Sequence, residues 1–113
     1  MKTALITGGS GHVGANLVRE LTKQDFKVRC IDFDGDHRAF EGHTVELIRG
    51  NITDIESMDV AFKNVDVVFH TAALISLVRK DRDIIRSVNV LGTKNVCELS
   101  LRHGVKKLIH FSS

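Results

Sequence analysis

Apolar positions in this chain fall in short blocks, and the spacing inside the blocks switches between two periods. Thr3 to Thr7 is a near-continuous apolar run that ends in glycines, the pattern of a buried strand. From His12 to Lys23, Val13, Leu17, Val18 and Leu21 recur at helical spacing and mark one helix face. Val28 to Asp32 reads as a second strand, Asp34 to Thr44 as a polar loop and Val45 to Ile48 as a third strand. Thr53 to Glu56 reads as a capping box in front of a helical set, Ile55, Met58, Ala61 and Phe62. Val65 to His70 is the fourth strand. A long helix is expected from about Asp83 to His103. Its apolar stripe is Ile84, Ile85, Val88, Leu91, Val96 and Leu99, and Gly104 is its stop. Lys107 to Ser112 is the fifth strand.

Strands that are apolar throughout, alternating with helices, imply a parallel sheet covered on both faces. The expected fold is α/β: a Rossmann-type doubly wound sheet, strand order 3-2-1-4-5, in one domain over residues 1–113. No closing helix follows strand five, so the domain reads as truncated there. Its open edge and uncovered face are expected to pair with a second copy, giving a homo-oligomer.

Glycines sit where this fold needs them. Thr7-Gly8-Gly9-Ser10-Gly11-His12-Val13-Gly14 directly follows a strand and directly opens a helix. Gly8 permits the tight turn, Gly11 lets the backbone approach a pyrophosphate, and Gly14 lets the helix pack on the strand. The helix start offers free N–H groups and a positive dipole end to phosphates. Asp32 ends strand two, 18 residues after Gly14. A carboxylate there accepts both adenosine ribose hydroxyls and repels a 2′-phosphate, so NAD is expected over NADP. No arginine directly follows Asp32; the nearest is Arg38. A calcium loop at Asp32, Asp34 and Asp36 fails on spacing, because His37 and His43 stand where Gly and Glu are needed. A nucleophile elbow at Ser10 lacks its second glycine.

Composition narrows the class further. The apolar fraction of 42%, the charged fraction of 27% and the net charge of +2 are those of an ordinary soluble protein. Basic residues are scattered rather than clustered, which argues against a nucleic-acid partner. No apolar run approaches the roughly 18 residues of a membrane span. No signal-peptide pattern opens the chain. Cys30 and Cys97 both fall in apolar contexts and read as two buried thiols in a reducing, cytoplasmic setting. The six histidines show no ligand spacing, so no metal is expected. Tyrosine is absent, and with it any phenolic acid or base.

These motifs together resemble the extended short-chain dehydrogenase/reductases: NAD-dependent epimerases and dehydratases, and 3-beta-hydroxysteroid dehydrogenase and dihydroflavonol reductase-like enzymes. The resemblance covers essentially all 113 residues and corresponds to that family's N-terminal portion. Gly50-Asn51-Ile52-Thr53-Asp54 looks like the family's segment beside the adenine, with Asn51 in place of the usual Asp. The resemblance implies that the Asn51 amide oxygen accepts from the adenine amino group. His70-Thr71-Ala72-Ala73 looks like the motif after strand four that lets the cofactor lie close to the backbone. Asn89 in Asn89-Val90-Leu91-Gly92-Thr93 matches the structural Asn of the central helix. Ser113 falls at the position of the catalytic Ser, whose Tyr-x-x-x-Lys partners would lie further along.

The resemblance thus implies an NAD-binding portion of an oxidoreductase or epimerase. Such an enzyme moves hydride at a hydroxyl-bearing carbon of a small-molecule substrate, with a lean towards steroid or flavonoid over sugar nucleotide. The 113 residues alone are expected to be inactive. The alternatives are a nucleotide-sensing module without catalysis and a catalytic half completed by a separate chain.

Overall fold

The computed structural model describes residues 1–8, 12–32, 45–71 and 82–111. In chain order these form β1 (Thr3–Thr7), α1 (His12–Lys23), β2 (Lys27–Asp32), β3 (Val45–Arg49), α2 (Ile55–Met58), a 3-10 turn (Asp59–Phe62), β4 (Val67–His70), α3 (Arg82–Arg102) and β5 (Lys107–His110). The five strands form one sheet in the order β3-β2-β1-β4-β5. Every neighbouring pair is parallel. The expected α/β doubly wound topology is the observed one.

β1 is buried along its whole length because it lies at the centre of the sheet. Successive side chains point to opposite faces. Leu5, with Ile31 and Val68, packs on Met58, Ala61, Phe62, Val96 and Leu99 from α2, the 3-10 turn and α3. Ala4 and Ile6, with Val28 and Cys30, pack on Val18 and Leu21 of α1. Each large side chain fully withdrawn from water contributes about 1.5–3 kcal/mol. The two apolar layers therefore hold helices on both faces.

Two helix ends are built alike. After α1, Phe26 N–H donates to Leu21 O (3.1 Å) across Asp25, which has φ 66°. After α3, Val105 N–H donates to Ser100 O (2.9 Å) across Gly104, which has φ 68°. In both, a left-handed residue lets the next amide satisfy a carbonyl of the last turn. Gly104 was readable as a stop. Asp25 was not, since Asp adopts this conformation less readily than Gly.

Several boundaries and burials depart from the pattern. The capping box at Thr53–Glu56 does not form: Asp54 is the N-cap and makes no side-chain cap bond. Thr53 Oγ1 instead donates to Asn51 Oδ1 (2.8 Å). Strand pairing at β4 begins at Val67, although Val65 is buried in the α3-side core. An apolar residue signals burial there, and the backbone has not yet entered the ladder. Leu91 is 43% exposed and lies off the stripe. Among the described side chains of α3, the buried positions are Gly92, Asn95, Val96, Leu99 and Ser100. Cys97 is exposed while Cys30 is buried, and neither forms a disulfide. Cys97 neighbours Val96 in sequence, but one residue turns the helix by about 100°, onto its outer surface.

Candidate nucleotide site

The strand order reverses between β1 and β4: the chain runs outward from β1 to β3, then returns to β1's other side. In open α/β sheets that reversal leaves a crevice at the carboxyl ends of the two strands. Thr7 and His70 are register partners at this edge. His70 Nδ1 lies 2.7 Å from Thr7 Oγ1, and its Nε2 lies 3.2 Å from Thr93 Oγ1 of α3. Thr71 N–H donates to Thr7 Oγ1 (3.0 Å), and Thr71 Oγ1 donates to Thr7 O. The His70 ring also stacks on His110 of β5, with centroids 5.1 Å apart.

Burial, and then the neighbouring His110, push the His70 imidazole down to about 4. At neutral pH it is uncharged. Both ring nitrogens have hydroxyl partners, so His70 works as a neutral strut between β1, β4 and α3. The base of the crevice therefore carries no charge from this residue.

Gly8 follows Thr7 with φ 73°, a conformation that penalises a Cβ. Its N–H donates to Ile31 O (3.0 Å), which ties the turn to β2. α1 starts after this turn and has no acidic residue in its first turn to oppose the positive helix end. Gly14 is buried in α1, as expected for close packing of helix on strand.

Asp32 ends β2 in register with Arg49, the last residue of β3. Two residues on, Asn51 opens a turn one strand further out. Asn51 Oδ1 accepts from both Thr53 N–H (3.0 Å) and Thr53 Oγ1 (2.8 Å). Asn51 N–H donates to Ser57 Oγ (3.0 Å), and Asn51 O accepts from Asp54 N–H (2.9 Å). Ile52 O accepts from Asn95 Nδ2 of α3 (2.9 Å). The Asn51 oxygen, the acceptor expected for adenine, thus takes both of its bonds from Thr53.

A model of the 3-beta hydroxysteroid dehydrogenase/isomerase family matches residues 5–113. The chain belongs to that family. Sterol demethylase protein B of Methylococcus capsulatus is 40% identical over 98% of this chain and 34% of its own length. A 3 beta-hydroxysteroid dehydrogenase/Delta 5-->4-isomerase of Mycobacterium tuberculosis is 37% identical over 96% of this chain and 31% of its own length. A short-chain dehydrogenase/reductase superfamily protein of Agrobacterium tumefaciens, solved with bound NAD, superposes with a TM-score of 0.83 at 31% identity; the match covers 98% of this chain and 32% of that one. This member of the 3-beta-hydroxysteroid dehydrogenase family thus spans about a third of the length of its curated relatives.

Of the residues singled out from sequence, Gly8 and Thr71 meet at the switch point, with Gly14 behind them and Asp32, Asn51 and Ile52 along the same sheet edge. Asn89 is half-buried on α3, upstream of Gly92 and Thr93. Gly9, Ser10, Gly11, Ala72, Ala73 and Ser113 lie outside the described residues, as do the side chains of His12, Val13 and Asp32. Among the described residues no cluster of His, Cys, Asp or Glu could hold a metal, and no helix is long and apolar enough to cross a membrane. Sequence reasoning missed Thr93 and Asn95. Asn95 did leave a signal, a polar residue within an apolar stripe.

Proposed function

We propose that this chain is the NAD-binding portion of an oxidoreductase or epimerase that moves hydride to or from a hydroxyl-bearing carbon. Its substrate is a small molecule, steroid-like in preference to sugar nucleotide. The observation that carries the reading is the switch point itself, where Gly8, the start of α1 and the uncharged Thr7–His70 pair adjoin. A helix start with no acidic first turn suits a diphosphate, and a neutral crevice base suits a nicotinamide ring that changes charge when it accepts hydride. The NAD-bound Agrobacterium relative and the steroid-related names of the sequence relatives support it.

Bound NAD would supply the hydride acceptor. The backbone from Gly8 to Gly14 would hold the pyrophosphate, and Asp32 would accept the adenosine ribose hydroxyls. Thr71, Ala72 and Ala73 would line the path towards the nicotinamide, with Asn89 behind them. Ser113 would hydrogen-bond the substrate oxygen. Proton transfer needs an acid, and these 113 residues hold no tyrosine to provide the family's phenol, so turnover by them alone is not expected. Calorimetric titration of the chain with NAD tests the binding reading. Saturable one-to-one binding is expected; no binding up to millimolar NAD would overturn it.

A further inference from the structure

In the turn after β3 the oxygens of Asn51 and Ile52 already hold hydrogen bonds, while donors of the same two residues remain. Asn51 Oδ1 takes two bonds from Thr53. Asn51 O takes Asp54 N–H, and Ile52 O takes Asn95 Nδ2. A backbone N–H can only donate, so the atom facing Thr53 N–H is the amide oxygen and the opposite atom is Nδ2. Among the described residues, neither Asn51 Nδ2 nor Ile52 N–H has a hydrogen-bond partner.

α3 holds this turn rigidly. A Cβ on Gly92 would stand 2.6 Å from Ile52 Cδ1 and 3.1 Å from Ile52 Cβ. Asn95 pins the Ile52 carbonyl from the same helix. The turn therefore cannot easily flip to expose an acceptor.

We propose that the Asn51–Ile52 turn reads the dinucleotide's purine as a donor-only edge, so that a 6-oxopurine dinucleotide is accepted as well as the adenine one. The proposal rests on the NAD-binding reading above. The turn lies one strand beyond Asp32, where the base attached to that ribose would extend. Adenine offers an acceptor, N1, beside a donor, the 6-amino group. Hypoxanthine offers an acceptor, the 6-oxo group, beside a donor, N1–H. Against two donors each base makes one match and one conflict. A carboxylate at position 51 would instead match the 6-amino group and repel the 6-oxo group.

The test is calorimetric titration of the chain with NAD and with nicotinamide hypoxanthine dinucleotide, repeated on Asn51→Asp. The unmodified chain is expected to bind the two within about threefold of each other, whereas Asn51→Asp should favour NAD by about tenfold or more. A preference of the unmodified chain for NAD above about tenfold overturns the proposal, and this arm needs no variant to fold. An unchanged ratio in Asn51→Asp with a wild-type melting curve also overturns it, while leaving the NAD-binding reading intact. Failure of both dinucleotides to bind the unmodified chain overturns that reading itself.

Discussion

Gly92 sits so close to Ile52 that no side chain fits between them: a Cβ at position 92 would lie 2.6 Å from Ile52 Cδ1. This contact joins α3 to the turn after β3. Rotation of Ile52 can relieve the Cδ1 and Cγ1 clashes, but its Cβ, at 3.1 Å, must move with the backbone. Alanine also favours a helix over glycine by about 1 kcal/mol. Gly92→Ala is therefore expected to leave the melting temperature nearly unchanged and to weaken NAD binding about fivefold through the displaced turn. Adding Ile52→Val should recover most of the affinity. Calorimetry and thermal melts on the two variants check this; an unaltered NAD affinity in Gly92→Ala would sink it.

Arg29 is a buried cation whose partners are mostly backbone. Its Nη1 donates to Ala61 O (2.7 Å) and Lys63 O (2.8 Å), closing the 3-10 turn, and its Nε meets Glu46 at 3.2 Å. Arg29→Met strands those two carbonyls and is expected to cost about 2–4 kcal/mol in urea unfolding. Glu46→Gln removes only the half-exposed partner and should cost under about 1 kcal/mol. Equal losses from the two variants would show that the backbone contacts are not what matters.

The buried His70 makes stability depend on pH. Its folded value of about 4 lies below the ordinary 6.5, so between those values the unfolded chain binds a proton that the folded chain does not. Stability is then full above pH 6.5 and is lost as pH falls towards 4. Partial solvent screening reduces the effect to about 2 kcal/mol. Asp59, held low first by its bond to His103, acts below its ordinary 3.8 and falls outside this window. Urea titrations at pH 7, 5.5 and 4.5 should show the decline, and His70→Asn should flatten it. An unchanged slope in that variant would reassign the effect to other groups.

Asp32 should set the choice between dinucleotides. A carboxylate at the end of β2 meets the 2′-phosphate of NADP with like charge and forfeits its bonds to the ribose hydroxyls. Preference for NAD of about tenfold to a hundredfold is expected. Asp32→Ala should weaken NAD and narrow the gap. Equal or tighter binding of NADP by the unmodified chain would refute the role given to Asp32.

Strand, helix and sheet order were legible because burial on both faces leaves runs without polar interruption, and because crossover rules leave one economical order for such runs. The turn at Gly8 was legible for a related reason: freedom to take a positive φ is a property of a single residue at a set distance from a strand end. The family resemblance came from the same local motifs. The hydrogen-bond partners of His70, Arg29 and Asn51 were not legible, although each residue was in plain view.

The sequence by itself determined where chain would be withdrawn from water and which residues could turn it, since hydropathy and φ preference act within a few neighbours. Tertiary structure alone decided which polar atoms remain available. Thr93 lies 23 residues from His70, and Asn95 lies 43 from Ile52, yet each pair meets across the α3 face. A hydrogen-bonding group has few valences, and only the fold shows which are already taken. That is why the sequence shows Asn51 only as a possible acceptor, while the folded chain shows its oxygen already taken by Thr53.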